Sequence, residues 1–111
     1  MKDTFALYWM LQLNGIFEAA QRGDLEELEA YKAAGGSVNA WEPLYRISLF
    51  QIALLKNQQQ FARAIAETEG FNPFHTDAFG RDALNIAHRT GNPQLADLVM
   101  ETLDLDDAPE I

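Results

Sequence analysis

Two histidines, His75 and His88, have the widest chemical repertoire in this 111-residue sequence. Either could serve as a base, a proton shuttle or a metal ligand. His75 lies in a turn-rich stretch and His88 in a separate helical pattern. The sequence holds no His-x-x-x-His or Glu-x-x-His pair, so nothing has the spacing by which one helix face grips a metal. His88 falls within an alanine-bearing helix, where a packed and hydrogen-bonded histidine is expected. Cysteine is absent, which excludes disulfides, thiolate metal sites and thiol nucleophiles. There is no Gly-x-Gly-x-x-Gly or phosphate loop, and Gly35-Gly36 reads as a helix end. Ser37 and Ser48 have no histidine and aspartate that spacing could assemble into a triad. Asp24, Glu26, Glu27 and Glu29 crowd one segment, but on a solvent-facing helix surface. Nothing there would desolvate one carboxyl and raise its pKa, as a general acid requires. The expectation is a chain without catalysis, cofactor or metal.

The residues that remain to be explained are aromatic. Trp41 and Tyr45 lie in one turn-rich segment with Pro43 and Leu44. Phe71, Phe74, His75 and Phe79 lie in another. A turn does not need such side chains, whereas binding hot spots are enriched in Trp and Tyr, which cover much area at low entropy cost. Phe71 and Tyr45, nearest the helices, are expected to pack back toward a core.

The elements that position these segments follow from an internal repeat with a period of 34. Asn14, Ser48 and Asp82 recur as candidate N-caps. Two positions on stand Ile16, Phe50 and Leu84, and five on stand Ala19, Ala53 and Ala87. Nine on stand Gly23, Asn57 and Gly91, types that tolerate a left-handed helix ending. Each unit therefore predicts a short helix, a left-handed turn and a second helix. Asp24 to Glu27 has capping-box form, Asn92-Pro93 is a strong helix start, and Gln58 is a weaker one. The second helices carry apolar residues at helical spacing: Leu25, Leu28, Tyr31; Phe61, Ala64, Ile65; Leu95, Leu98, Val99, Leu103. The alanines suit close helix crossings. Linkers from Gly35 to Ile47 and from Gly70 to Arg81 join the units, and loops of that length commonly carry function. Residues 1–13 read as a capping helix with Phe5, Tyr8, Trp9 and Leu13 covering the open end. Residues 104–111 read as a short acidic tail.

These features resemble the ankyrin repeat. Gly23-Asp24-Leu25-Glu26-Glu27-Leu28 through Ala34-Gly35-Gly36-Ser37-Val38-Asn39-Ala40 looks like that family's second helix and closing turn. Asp82-Ala83-Leu84-Asn85-Ile86-Ala87 is similar to its Thr-Pro-Leu-His-x-Ala motif, with Ser48 to Ala53 a looser match and Asn14 to Ala19 the loosest. The family period is 33, and neither the Thr-Pro pair nor the motif histidine is present here. The resemblance implies an all-α solenoid of three helix-turn-helix repeats (14–47, 48–81 and 82–103). It also implies that the linkers form fingers which, with the first helices, line a concave groove. That groove would expose Gln21, Arg22, Gln51, Leu55, Lys56, Asn85 and Arg89. The candidate protein-binding set is then Trp41, Tyr45, Phe74, His75, Phe79, Gln51, Leu55, Asn85 and Arg89.

Charge bounds the partner. The net charge is −9, and all eight bases lie at or before Arg89. A phosphate-neutralising patch is not expected, so direct nucleic-acid binding is not. The overall acidity favours a basic protein partner. Arg22, Lys56 and Arg89, one per unit, argue for an acidic partner in the groove instead. The sequence leaves that choice open. No segment is long and apolar enough to span a bilayer and no secretory leader is legible, which reads as cytoplasmic. The expected function is a non-catalytic protein-binding module, monomeric rather than dimeric: a small stoichiometric inhibitor, an immunity-type protein or an adaptor. Self-association through the N-terminal helix and acidic mimicry of nucleic acid are the alternatives.

Overall fold

The computed structural model describes residues 15–103. The expected N-terminal helix, the Asn14 cap and the acidic tail lie outside the described residues. Within them the chain is all-helical, with no strand and a single isolated antiparallel bridge between Trp41 and Ser48. The helices are α1 (15–22), α2 (Leu25–Ala33), α3 (Leu49–Leu55), α4 (Gln59–Ala66), α5 (Ala83–Thr90) and α6 (Pro93–Thr102).

The helix starts are made by side chains. Ser48 accepts from the Gln51 amide at 3.1 Å while the Gln51 side chain accepts from the Ser48 amide at 3.0 Å. Asp82 and Asn85 make the same reciprocal pair at 2.8 and 3.1 Å. Each pair satisfies two amides that the first turn would otherwise leave orphaned. Asp24 accepts from the Glu27 amide at 3.1 Å. That bond, with the Arg22 guanidinium beside it, holds the Asp24 carboxyl below its ordinary range. Gln58 makes no side-chain cap, consistent with its being the weaker start.

The turns repeat faithfully. Gly23, Asn57 and Gly91, at equivalent places in the three units, all sit in the left-handed region, with φ of 75°, 62° and 75°. The bond that closes this turn recurs in the first two units, whereas in the third Asn92 N–H donates to the Thr90 side-chain oxygen at 3.2 Å. Asp24 N–H donates to Ala19 O at 2.9 Å, and Gln58 N–H donates to Ala53 O at 2.8 Å.

Packing forms two layers. α3 contacts α4 and α5, while α4 contacts α2 and α6, and α5 contacts α6. One apolar cluster runs through them, from Ile16 and Phe17 through Leu28, Phe50 and Phe61 to Ile86 and Leu95. Each large side chain buried there contributes roughly 1.5–3 kcal/mol. Ala19, Ala53 and Ala87 are fully buried, as close helix approach requires. Polar bonds from equivalent donor positions, 58 and 92, reach back to the preceding helix pair. Gln58 donates to the Gln21 carbonyl at 2.7 Å, and Asn92 donates to the Asn57 side-chain oxygen at 2.7 Å. No helix among the described residues is long and apolar enough to cross a membrane.

Candidate functional site

Both linkers fold into narrow turns closed by a carboxylate. In the first, Glu42 N–H donates to Ile47 O at 3.0 Å and Leu49 N–H to Ala40 O at 3.0 Å. The two Glu42 oxygens accept from the amides of Leu44, Tyr45 and Ile47 at 2.9–3.2 Å. In the second, Asp77 accepts from the amides of Phe79 and Arg81 at 2.9 and 3.0 Å and from Arg81 Nε at 2.8 Å. Burial alone would raise the Asp77 carboxyl. The bonds from the Arg81 amide and guanidinium and from the Phe79 amide overcome that and hold it below the ordinary range. Arg46 and Gly80, at equivalent places in the two linkers, are the left-handed residues of the two turns, with φ of 57° and 78°.

The second turn rests on the first. Ala78 N–H donates to Tyr45 O at 2.8 Å, and His75 Nε2–H donates to Arg46 O at 2.6 Å. Lower down, Asn39 donates to Gly70 O at 2.9 Å and accepts from Asn72 N–H at 2.7 Å. Beneath both lies Gln51. Its side-chain nitrogen donates to Arg81 O at 3.0 Å and His75 O at 3.3 Å, so one residue of α3 holds the second linker at two points.

On this frame the aromatic rings align by repeat. Trp41 and His75 stack, with centroids 5.0 Å apart and planes within 17°. Tyr45 and Phe79 pair at 5.5 Å and 31°. The Arg81 guanidinium stands 5.2 Å from the Phe79 ring centroid, within cation–π range. The rings remain open to solvent: Trp41 is 48% exposed, Tyr45 45%, Phe79 63% and Phe74 70%. Leu44, at the tip of the first turn, is 73% exposed.

Three expectations are corrected. Gln51, expected on the open face, is buried at 1% exposure, because its polar atoms are consumed by the Ser48 amide and two linker carbonyls. Tyr45 does not pack back on the core. Its ring leans on Phe79 instead, and only Phe71 turns inward, 4.7 Å from Phe50. His88 is exposed rather than packed. Leu55, Asn85 and Arg89 are exposed as expected, and Asn85 and Arg89 share a face of α5 at a spacing of four. His75 is half-buried in the stack.

Among the described residues no three His, Asp or Glu side chains are grouped to hold a metal, and no buried side-chain nitrogen or oxygen lacks a partner. An open cavity of about 430 Å³ lies between α5 and α6 at Ala87, His88, Ala96 and Met100. A larger one of about 570 Å³ lies between Gly23 and the start of α4. Neither brings together a base and a nucleophile. No protein-family model matches the chain, and no curated protein matches it.

Sequence reasoning missed Arg46, Glu42 and Asp77 as the residues that shape the turns. The period that placed the helix caps also relates Arg46 to Gly80, Trp41 to His75 and Tyr45 to Phe79, so the signal was present in the spacing.

Proposed function

We propose that this chain is a three-unit ankyrin-like stack that works as a non-catalytic protein-binding module. Its fingers and first helices form the binding face, and a small stoichiometric inhibitor, immunity-type protein or adaptor in the cytoplasm is the role that suits it. The observation that carries the reading is the ladder of rings, exposed Trp41 on half-buried His75 and exposed Tyr45 on exposed Phe79, held on turns fixed by Glu42 and Asp77. A rigid aromatic surface loses little entropy on binding, which makes it an effective anchor for another protein. The ankyrin-like part rests on the regular recurrence of capped helix starts, left-handed turns and inter-unit bonds.

The test is affinity capture from the source lysate with the wild-type chain and with the Trp41→Ala, Phe74→Ala double variant, after circular dichroism has shown both to be folded. A protein enriched by the wild type and lost with the variant supports the reading. Equal retention by both chains moves the binding face elsewhere.

A further inference from the structure

The aromatic face carries a charge of its own, opposite to that of the molecule. Eight bases occur in the chain, and seven lie among the described residues. Four of these are paired: Arg22 with Glu18 and Asp24, Lys32 with Glu29, Arg63 with Glu101, and Arg81 with Asp77. Arg46, Lys56 and Arg89 make no ion pair among the described residues, and all three are exposed. Arg46 sits on the first finger beside Tyr45, and Lys56 and Arg89 lie at the ends of the first helices α3 and α5.

The acids of the same region are already engaged. Both oxygens of Glu42 accept backbone amides, Asp77 is buried against Arg81, and Asp82 caps α5. The fingers and first helices of the second and third units therefore hold four bases against three acids. The other layer is the reverse. α2, α4 with the turn after it, and α6 carry seven acids against two bases, both of them paired. A chain of net charge −9 thus carries, among the described residues, one cation without an ion pair beside the rings, Arg46, and two more at the far ends of the first helices, Lys56 and Arg89.

We infer that the finger face binds an acidic protein segment, one that alternates carboxylates with apolar or aromatic side chains. The inference rests on the proposed binding role and adds the chemistry of the occupant. The rings and Leu44 receive the apolar side chains, while Arg46, Lys56 and Arg89 meet the carboxylates. The acidic opposite layer repels the same segment and so directs it to this face. A nucleic acid would also meet cations and rings here. The acidic layer and the net negative charge oppose its closely spaced phosphates along the rest of its length.

The test is selection of a random peptide library on the full chain at low salt, followed by anisotropy measurements with the most enriched peptide. The wild type is compared with an Arg46→Gly, Lys56→Gln, Arg89→Gln variant of verified fold. The expected result is enrichment of acidic peptides bearing apolar residues, with binding about tenfold weaker in the variant and weaker at high salt. Enrichment of basic or uncharged peptides overturns the acidic occupant. If those peptides are also lost with Trp41→Ala, the finger surface still stands as a binding site. Acidic peptides that bind the variant equally overturn it as well, as does an oligonucleotide of matched charge that binds more tightly. Enrichment of no peptide overturns both the occupant and the binding role.

Discussion

Trp41 and His75 occupy equivalent places in successive linkers and stack with ring centroids 5.0 Å apart and planes 17° from parallel. The period that builds the helices thus also brings equivalent linker side chains face to face. The His75 ring is held from its edge by the Arg46 carbonyl, so the first linker fixes both sides of the contact. A double-mutant cycle with Trp41→Ala and His75→Ala, read by urea denaturation, is expected to give a coupling of about 0.5–1.5 kcal/mol. Additive effects would mean that the rings lie near one another without interacting.

Gln51 should be the most costly polar residue to remove. Its truncation to Ala leaves the Ser48 amide and the His75 and Arg81 carbonyls without their side-chain partner. The Arg81 carbonyl keeps the Asp77 amide, but the Ser48 amide and His75 carbonyl are left unpaired at about 1–3 kcal/mol each, so a loss of roughly 3 kcal/mol is expected in chemical denaturation. Asn85→Ala removes the equivalent cap at an exposed site and should cost only about 1 kcal/mol.

Arg46 and Gly80 should respond in opposite directions. Both are in the left-handed region, where a side chain is strained by about 1–2 kcal/mol. Arg46→Gly relieves that strain, so the variant should be at least as stable as the wild type. Gly80→Ala introduces it and should lower stability by about 1 kcal/mol. Thermal melts of the two variants check the pair.

Asp77 predicts a pH dependence. Its carboxyl is held low in the folded chain, so the unfolded chain binds a proton more readily. The stability it contributes is therefore present above the ordinary Asp value of about 3.9 and fades as pH falls through the lower folded value. At neutral pH, Asp77→Asn should cost roughly 2 kcal/mol, since the buried charge-assisted bond to Arg81 is lost. In urea titrations the gap between the two proteins should narrow below about pH 4. A gap independent of pH would show that the carboxylate's charge is not what matters.

The sequence displayed the helices and their turns because local chemistry sets them. Ser48, Asp82, Gly23 and Asn57 act through their own backbone neighbours, and residue type reveals that directly. Gln51 was misplaced for the opposite reason. Its residue type fits an exposed helix position, and only the carbonyls of a linker distant in the chain explain its burial. Tyr45 was misjudged similarly, since its ring partner, Phe79, belongs to the next linker. That Arg46, Lys56 and Arg89 make no ion pair among the described residues was also illegible, because pairing depends on which acids fold beside them.

The central claim is that the finger face binds a protein. Calorimetric titration of the captured partner tests it most directly, using the wild type, the Trp41→Ala, Phe74→Ala variant, and a control variant on the opposite layer, Glu26→Gln, Glu29→Gln. The account predicts binding at least about tenfold weaker for the finger variant and no weaker for the control. Unchanged affinity in the finger variant, or a loss confined to the control, would contradict it.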